Sequence, residues 1–390
     1  MKNNKGWFEI FLTSLKLGLT SFGGPVAHLG YFKNEYVDKR KWLDDKSYAD
    51  VIALSQFLPG PASSQVGIAI GMFRGGVFGG VLSWLGFTIP SVVILMLFAV
   101  FYQSFHMENA TWIASLKIVA VAVVAHAVLG LGKKLTPDAK RLFMALIAAI
   151  IILLFPSALT QIMIIIGAAV IGYLFLSRST KGSTGDPLPI NMTKRQGMFA
   201  LFGFVLLLII LPFVANVTGN FHVQLFDKFY RVGSIVFGGG HVVLPLLEQE
   251  VVAVNWLSAS EFIAGYGVAQ AVPGPLFTFA SYLGMMMNGM LGAMIATIAI
   301  FLPSFLLIIG ALPFLSELRQ HQKFQGMLAG VNASVVGILL AALYDPLITS
   351  SIQHVSDIIL AVLLFALLQF FKRPAWLVVM IGVIVGQFVL

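Results

Sequence analysis

Long apolar runs separated by short polar stretches dominate the chain. Val77 to Tyr102 contains no Asp, Glu, Lys or Arg. As a helix rising about 1.5 Å per residue, such a run crosses a hydrocarbon layer of roughly 30 Å. Further apolar spans lie near 112–131, 142–155, 158–176, 198–216, 289–312, 326–343, 356–371 and 374–390. The pattern predicts an all-α polytopic membrane protein.

Two interruptions occur twice. Ser55-Gln56-Phe57-Leu58-Pro59-Gly60-Pro61 recurs as Ala269-Gln270-Ala271-Val272-Pro273-Gly274-Pro275. Upstream, Phe22-Gly23-Gly24-Pro25 is matched by Phe237-Gly238-Gly239-Gly240, with 36 residues from Gly23 to Pro59 and 35 from Gly238 to Pro273. Glu35 and Glu250, then Trp42-Leu43 and Trp256-Leu257, fall between them. Paired helix breaks repeated in apolar sequence predict a transporter built from two related halves. The expected division is a first repeat over 1–176, a cytoplasmic linker plus linking transmembrane helix over 177–217, and a second repeat over 218–390. Each repeat should open with two broken or re-entrant helical hairpins and continue with about four spanning helices.

Loop charge sets the orientation. Lys133, Lys134, Lys140 and Arg141 mark one inside loop, the stretch 177–196 a second, Arg319 and Lys323 a third, Lys372 and Arg373 a fourth. Stretches near 103–110, 156–158, 217–223 and 345–355 carry no Lys or Arg. By the positive-inside rule the N-terminus is cytoplasmic and the C-terminus outside, and the unpaired span between the halves inverts the second repeat. The loop Lys33 to Lys46 holds five Lys or Arg, whereas Glu248 to Glu261 holds none. Hairpins dipping from opposite faces fit this better than broken spans that cross.

Composition agrees: 58% of residues are hydrophobic and 10% charged, against roughly 25% charged in soluble domains. The net charge of +8 falls in short loops, which points to membrane anchoring rather than nucleic acid. It suits an anionic substrate only weakly. With no cysteine, disulfides, iron–sulfur clusters and thiolate metal sites are excluded. Metalloprotease, phosphate-loop and nucleophile-elbow motifs are absent from the sequence, so no metal, cofactor or catalytic residue is expected, and an ion or voltage gradient must supply energy. An intramembrane enzyme or lipid-handling protein stays open as an alternative, because such sites need few residues.

Each Pro-Gly-Pro must expose backbone polar groups, tolerable in a membrane only where protein or a wet cavity covers them. The helix that restarts presents N–H groups and a positive dipole end, which suits an anion. Ser63, Ser64 and Gln65 occupy the first restarted turn, while the second copy offers Thr278 among apolar neighbours. A capped packing kink is the bland alternative. Lys16 and Arg231 each stand seven residues before Gly23 and Gly238, two turns away on the same helix face. Two such cations could neutralise one dianion; snorkelling, or a Lys16–Glu9 pair, would explain them without a ligand. Gln56 and Gln270 could donate to an oxyanion or satisfy the broken helix. Glu9, Glu35, Glu250 and His241 are candidates for coupling or gating, though Glu35 and Glu250 also read as exposed loop residues and His126 as a merely hydrogen-bonded histidine. Lys117 reads as snorkelling.

Over essentially its whole length the chain resembles the long, two-domain form of the chromate transporter family. The resemblance rests on the Phe-Gly-Gly and Gln-x-x-Pro-Gly-Pro elements in both halves, and on Pro90-Ser91 against Pro303-Ser304. It implies a cell inner-membrane secondary transporter that exports chromate and confers chromate resistance, driven by membrane potential or proton gradient. Gly240 in place of Pro25 departs from the first copy, which implies that the halves have diverged in role. Sulfate, a tetrahedral dianion of similar size, would be separated poorly by such a site, so a sulfate or other oxyanion carrier or channel is the alternative. A homodimer is a candidate assembly.

Overall fold

The computed structural model describes residues 4–21, 24–104, 111–176, 192–236, 243–314 and 322–389, and every regular element among them is helical. The first half contains α1 (Asn4–Thr20), α2 (Gly24–Phe32), a π-helical segment Lys33–Lys39, α3 (Asp45–Phe57), α4 (Ala62–Ser104), α5 (Thr111–Leu135), α6 (Ala139–Leu154) and α7 (Ala158–Phe175). After α8 (Lys194–Thr218) come α9 (Phe221–Ile235), α10 (Val243–Val251), α11 (Ala259–Ala271), a 3-10 turn Leu276–Thr278 and α12 (Phe279–Ala311). The chain closes with α13 (Gln322–Ala342), α14 (Val355–Gln369) and α15 (Ala375–Val389). Four described helical stretches are long and apolar enough to cross a membrane: Ala62–Ser104, Lys194–Thr218, Leu276–Phe314 and Gln325–Asp345. Shorter apolar helices accompany them.

Local chemistry explains where the elements stop. Asp44 caps α3 by accepting from the Ser47 amide, and Leu58 then turns extended at ψ 148°, as a residue before proline must. Val272, before Pro273, does the same at ψ 136°. Thr193 and Gln196 form a capping box at the start of α8, so the polar stretch expected to run through Gln196 ends at Thr193 and its last two cations belong to the helix. The stretch Lys33–Lys46, expected as a loop, is helical as far as Lys39.

Two of the long helices are folded. α4 bends at Gly75–Gly76 and α12 at Asn288–Gly289. A methyl on Gly71 would strike the Gly79 carbonyl, and one on Gly284 the Gly292 carbonyl. The short arm after each Pro-Gly-Pro therefore doubles back against the longer arm through small residues, the means by which helices approach closely in lipid.

The described residues fall into two compact units, each drawing on both halves of the sequence. The first comprises 1–96, 181–240 and 273–321. Its core includes Phe32, Tyr36, Val51, Leu54, Val66, Ile70, Phe87 and Ile308. There α8 and α9 pack on α12, and the Tyr230 hydroxyl donates to the Phe204 carbonyl at 2.9 Å. One side of α8 leaves Phe199, Phe202, Ile209 and Phe213 exposed, as a lipid-facing helix would. The second unit comprises 97–180, 241–272 and 322–390. In it α13 packs on α6 and α7 through Gly337 against Ala145 and Gly330 against Ala168, while α5 packs on α11, α14 and α15.

Candidate functional site

Within the first unit the two Pro-Gly-Pro breaks are each secured by the other half of the sequence. Gly60 lies at φ +117° and Gly274 at φ +99°, a region open to glycine at little steric cost. The Gly60 N–H donates to the Val236 carbonyl at 2.6 Å, and the Gly274 N–H to the Ser21 carbonyl at 2.9 Å. Ser21 and Val236 are equivalent under the 215-residue offset that aligns the two halves.

At the first break, α4 restarts at Ala62, and its first amide bond within the helix runs from Gln65 N–H to the Pro61 carbonyl at 2.9 Å. The amides of Ala62, Ser63 and Ser64 precede that bond and point out of the helix end. Ser63, Ser64 and Gln65 are all buried. Gln65 Nε2 donates to the Pro59 carbonyl at 2.6 Å, and Ser63 Oγ lies 3.2 Å from His28 Nδ1. Ser64 Oγ, Gln65 Oε1 and Ser304 Oγ are buried with no hydrogen-bond partner. Ser304 Oγ and the Gln65 amide lie at the break, since a methyl on Gly60 would come within 2.6 Å of Ser304 Oγ and 2.8 Å of Gln65 Nε2. Stranded polar atoms cost free energy in an apolar interior.

The second break is closed on itself. Ser91 Oγ donates to the Pro273 carbonyl. Thr278 turns both its amide and its hydroxyl to the Pro275 carbonyl, at 3.0 and 2.7 Å, and Ser281 donates back to Thr278. A tight 3-10 turn fills the position where the first copy has an open helix end. Similar sequence thus produces one open break and one latched break.

The cations proposed from sequence are committed elsewhere. Lys16 Nζ donates to Glu35 Oε2 at 2.9 Å, and Arg40 Nε to Glu35 Oε1 at 3.0 Å. Arg40 also reaches Glu9 at 2.7 Å, so the Lys16–Glu9 pair does not form. Arg231 is paired with Asp227 one turn earlier on α9. Glu35, expected as exposed, is only 5% exposed because three cations fold over it: Lys16, Arg40 and, at 3.9 Å, Lys39. Burial pushes its carboxyl up, but hydrogen bonds and charge from Lys16 and Arg40 outweigh that and hold it below the usual carboxylate range. Glu250 is likewise buried, on α10 in the second unit, a helix whose Val243, Leu244 and Leu247 are buried too. Gln270 lies in the last turn of α11 in that unit, bonded to Tyr266. His126 bonds Gln369 at 3.0 Å, and Lys117 bonds Ser260 at 3.2 Å. Gly24 opens α2. Gly23, Gly238, Gly239, His241 and the side chain of Gln56 lie outside the described residues.

His28 and Ser304 were missed from sequence. Both had a signal: His28 is a polar residue four positions after Gly24 in an apolar stretch, and Ser304 is half of the Pro303-Ser304 match to Pro90-Ser91.

The sequence profile of the chromate transporter family matches residues 8–173 and again 223–387. An uncharacterized transporter of Methanocaldococcus jannaschii is 29% identical over 402 aligned positions, covering 100% of this chain and 96% of the relative. A chromate transport protein of Pseudomonas aeruginosa is 26% identical, covering 86% of this chain and 80% of its own. An uncharacterized transporter of Bacillus subtilis is 31% identical over 163 residues, covering 40% of this chain and 91% of its own. No solved structure matches the chain. Its two profile matches span most of the sequence, so the chain belongs to the chromate transporter family, whose members are transporters rather than enzymes.

Proposed function

We propose that this protein carries chromate across the cell membrane, binding the dianion at the open first break. The observation that carries the reading is a pair of buried, unpartnered hydroxyls, Ser304 Oγ at the break and Ser64 Oγ in the first turn of the restarted helix. Donors on a half-helix end recognise an anion without a formal cation. The amides of α4 and the hydroxyls of Ser63, Ser64 and Ser304 supply them. Gln65 Nε2 is within reach but already engaged by Pro59. The latched second break serves as the fixed partner against which the first can move. Lys16 and Arg231, with their carboxylates, position α1 and α9 and act on the anion from a distance. Glu35, Glu9 and Glu250 are the candidates for gating carboxylates.

Export from the cytoplasm is the direction that the inside-negative potential favours for an anion. Two inverted repeats over 1–176 and 218–390 are supported by the paired profile matches and by the reciprocal Gly60–Val236 and Gly274–Ser21 bonds. The Bacillus relative aligns over 91% of its own length with 40% of this chain, as a single-repeat chain would. Hairpins entering from opposite faces, a cytoplasmic N-terminus and an outer C-terminus complete the arrangement. A second copy could pack along the exposed face of α8. Sulfate should compete, since hydrogen-bond donors around a tetrahedral dianion discriminate poorly by charge. Cells expressing the protein should accumulate less chromate, and added sulfate should weaken the effect. Unchanged accumulation, with the protein verified in the membrane, would refute the substrate assignment.

A further inference from the structure

One histidine stands directly behind the open break. His28, on α2, is 1% exposed, and its ring edge packs against Phe87 at 5.4 Å. Its Nδ1 lies 3.2 Å from Ser63 Oγ. Its Nε2 is buried without a partner of ordinary hydrogen-bond geometry, with the Ser21 main chain beside the ring. The break thus holds a titratable ring touching one of the hydroxyls that faces the proposed ligand.

The direction of the Ser63–His28 bond depends on the ring's protonation. If neutral imidazole leaves Nδ1 as an acceptor, Ser63 must donate its hydroxyl proton to the ring and presents only lone pairs to the break. Once Nδ1 gains a proton, the ring donates to Ser63 Oγ, and the Ser63 proton is free to point at an oxyanion. A buried imidazolium is costly alone, and a dianion close by would offset that cost. Each event therefore favours the other, by the reciprocity of linked binding.

Other titratable groups on the surrounding elements are engaged away from the ring. Lys16 and Glu9 of α1 and Glu35 and Arg40 of the π-helical segment bond one another. Tyr36 bonds Ser14, and Tyr48 of α3 donates to the Leu29 carbonyl. From α4 the ring meets Ser63 and Phe87, both uncharged. Among the described residues His28 is left as the titratable group at the break; burial pulls its pKa well below the ordinary imidazole value, so the ring is neutral near pH 7 until an anion beside it offsets that cost.

Resting on the oxyanion site proposed above, we infer that His28 takes up one proton with each dianion bound, so that the transported load carries one negative charge rather than two. In balance, H⁺ from solvent adds to Nδ1, the N–H donates to Ser63 Oγ, and the Ser63 O–H turns from the ring to an oxygen of the anion. No covalent bond of the ligand changes.

The test is calorimetric titration of the purified full-length protein in detergent with sodium sulfate and sodium chromate between pH 6 and 8, in buffers of different ionisation heat. Sulfate does not itself protonate in this range, so the buffer dependence counts protons taken up by the protein. Wild type should take up about one proton per sulfate, with affinity rising up to tenfold per unit fall in pH where the ring is otherwise neutral. His28→Gln should bind more weakly, with no proton uptake and a flat pH profile. Retention of proton uptake by folded H28Q, or binding by wild type without uptake, would overturn the inference. If H28Q does not fold, Ser63→Ala decides: reduced uptake per anion supports the coupling and unchanged uptake overturns it. Absence of any anion binding by wild type would instead sink the oxyanion site and this inference with it. For chromate alone, the count is corrected for the free anion's own protonation.

Discussion

At the scale of single residues, the two breaks are distinguished by where their hydroxyls point. Ser91 satisfies the Pro273 carbonyl, whereas its counterpart Ser304 satisfies nothing. Ser91→Ala should therefore lower stability by about 1 kcal/mol with a secondary effect on transport. Ser304→Ala should leave stability unchanged or slightly raised, yet weaken anion affinity by about tenfold, the loss of one ligand hydrogen bond. Thermal unfolding and sulfate binding on the same preparations separate the two; equal losses of stability would make both residues structural. Gly60→Ala should destabilise the first break by a few kcal/mol, because alanine at φ +117° is strained and its methyl meets Ser304 and Gln65. None of these distinctions was legible in sequence. Ser91 and Ser304 occupy matching positions, and only the packing around them decides which one finds a carbonyl.

At the scale of elements, the ion network between α1 and the π-helical segment is the feature sequence misread. Glu35 sits in a stretch rich in Lys and Arg, which reads as a solvated loop. A π-helical turn instead carries it inward, and Lys16, Lys39 and Arg40 neutralise it there. Spacing along one helix suggested Lys16 with Glu9; partners from another element cannot be seen that way. The double-mutant cycle of Lys16→Gln with Glu35→Gln distinguishes an ion pair from a ligand contact. The pair account expects the double variant to regain part of the transport lost by K16Q, whereas a Lys16 that touches the anion gives no recovery. Because the folded carboxyl of Glu35 is held below its ordinary value, its stabilisation is present above that ordinary value, about 4.3. It is lost as pH falls through the lower folded value. E35Q should accordingly be less stable than wild type at pH 7, with the difference shrinking in acid, as read by unfolding in detergent. Orientation is tested on the same cysteine-free background. Lys39→Cys should label only from the cytoplasm and Val254→Cys only from outside; labelling of the former from outside in intact cells would mean that the first hairpin crosses.

At the scale of the whole molecule, sequence alone disclosed the helical membrane class, the apolar spans and the duplicated breaks, because these rest on composition and on glycine and proline, which act locally. It did not disclose that each compact unit takes elements from both halves, nor that each break is pinned by a carbonyl from the other half. Such contacts join residues more than 170 positions apart, as with Gly60 and Val236. The central claim is that the open break binds a tetrahedral dianion and that the protein carries it across the bilayer down the electrical gradient. The most direct measurement is chromate and sulfate flux in proteoliposomes of the purified protein, with and without an imposed potential, for wild type and for Ser63→Ala/Ser64→Ala. The account expects saturable chromate flux away from the negative side, inhibited by sulfate and reduced on the order of tenfold or more in the double variant while folding is retained. Flux that ignores the potential, or a double variant that transports chromate as wild type does, would contradict it.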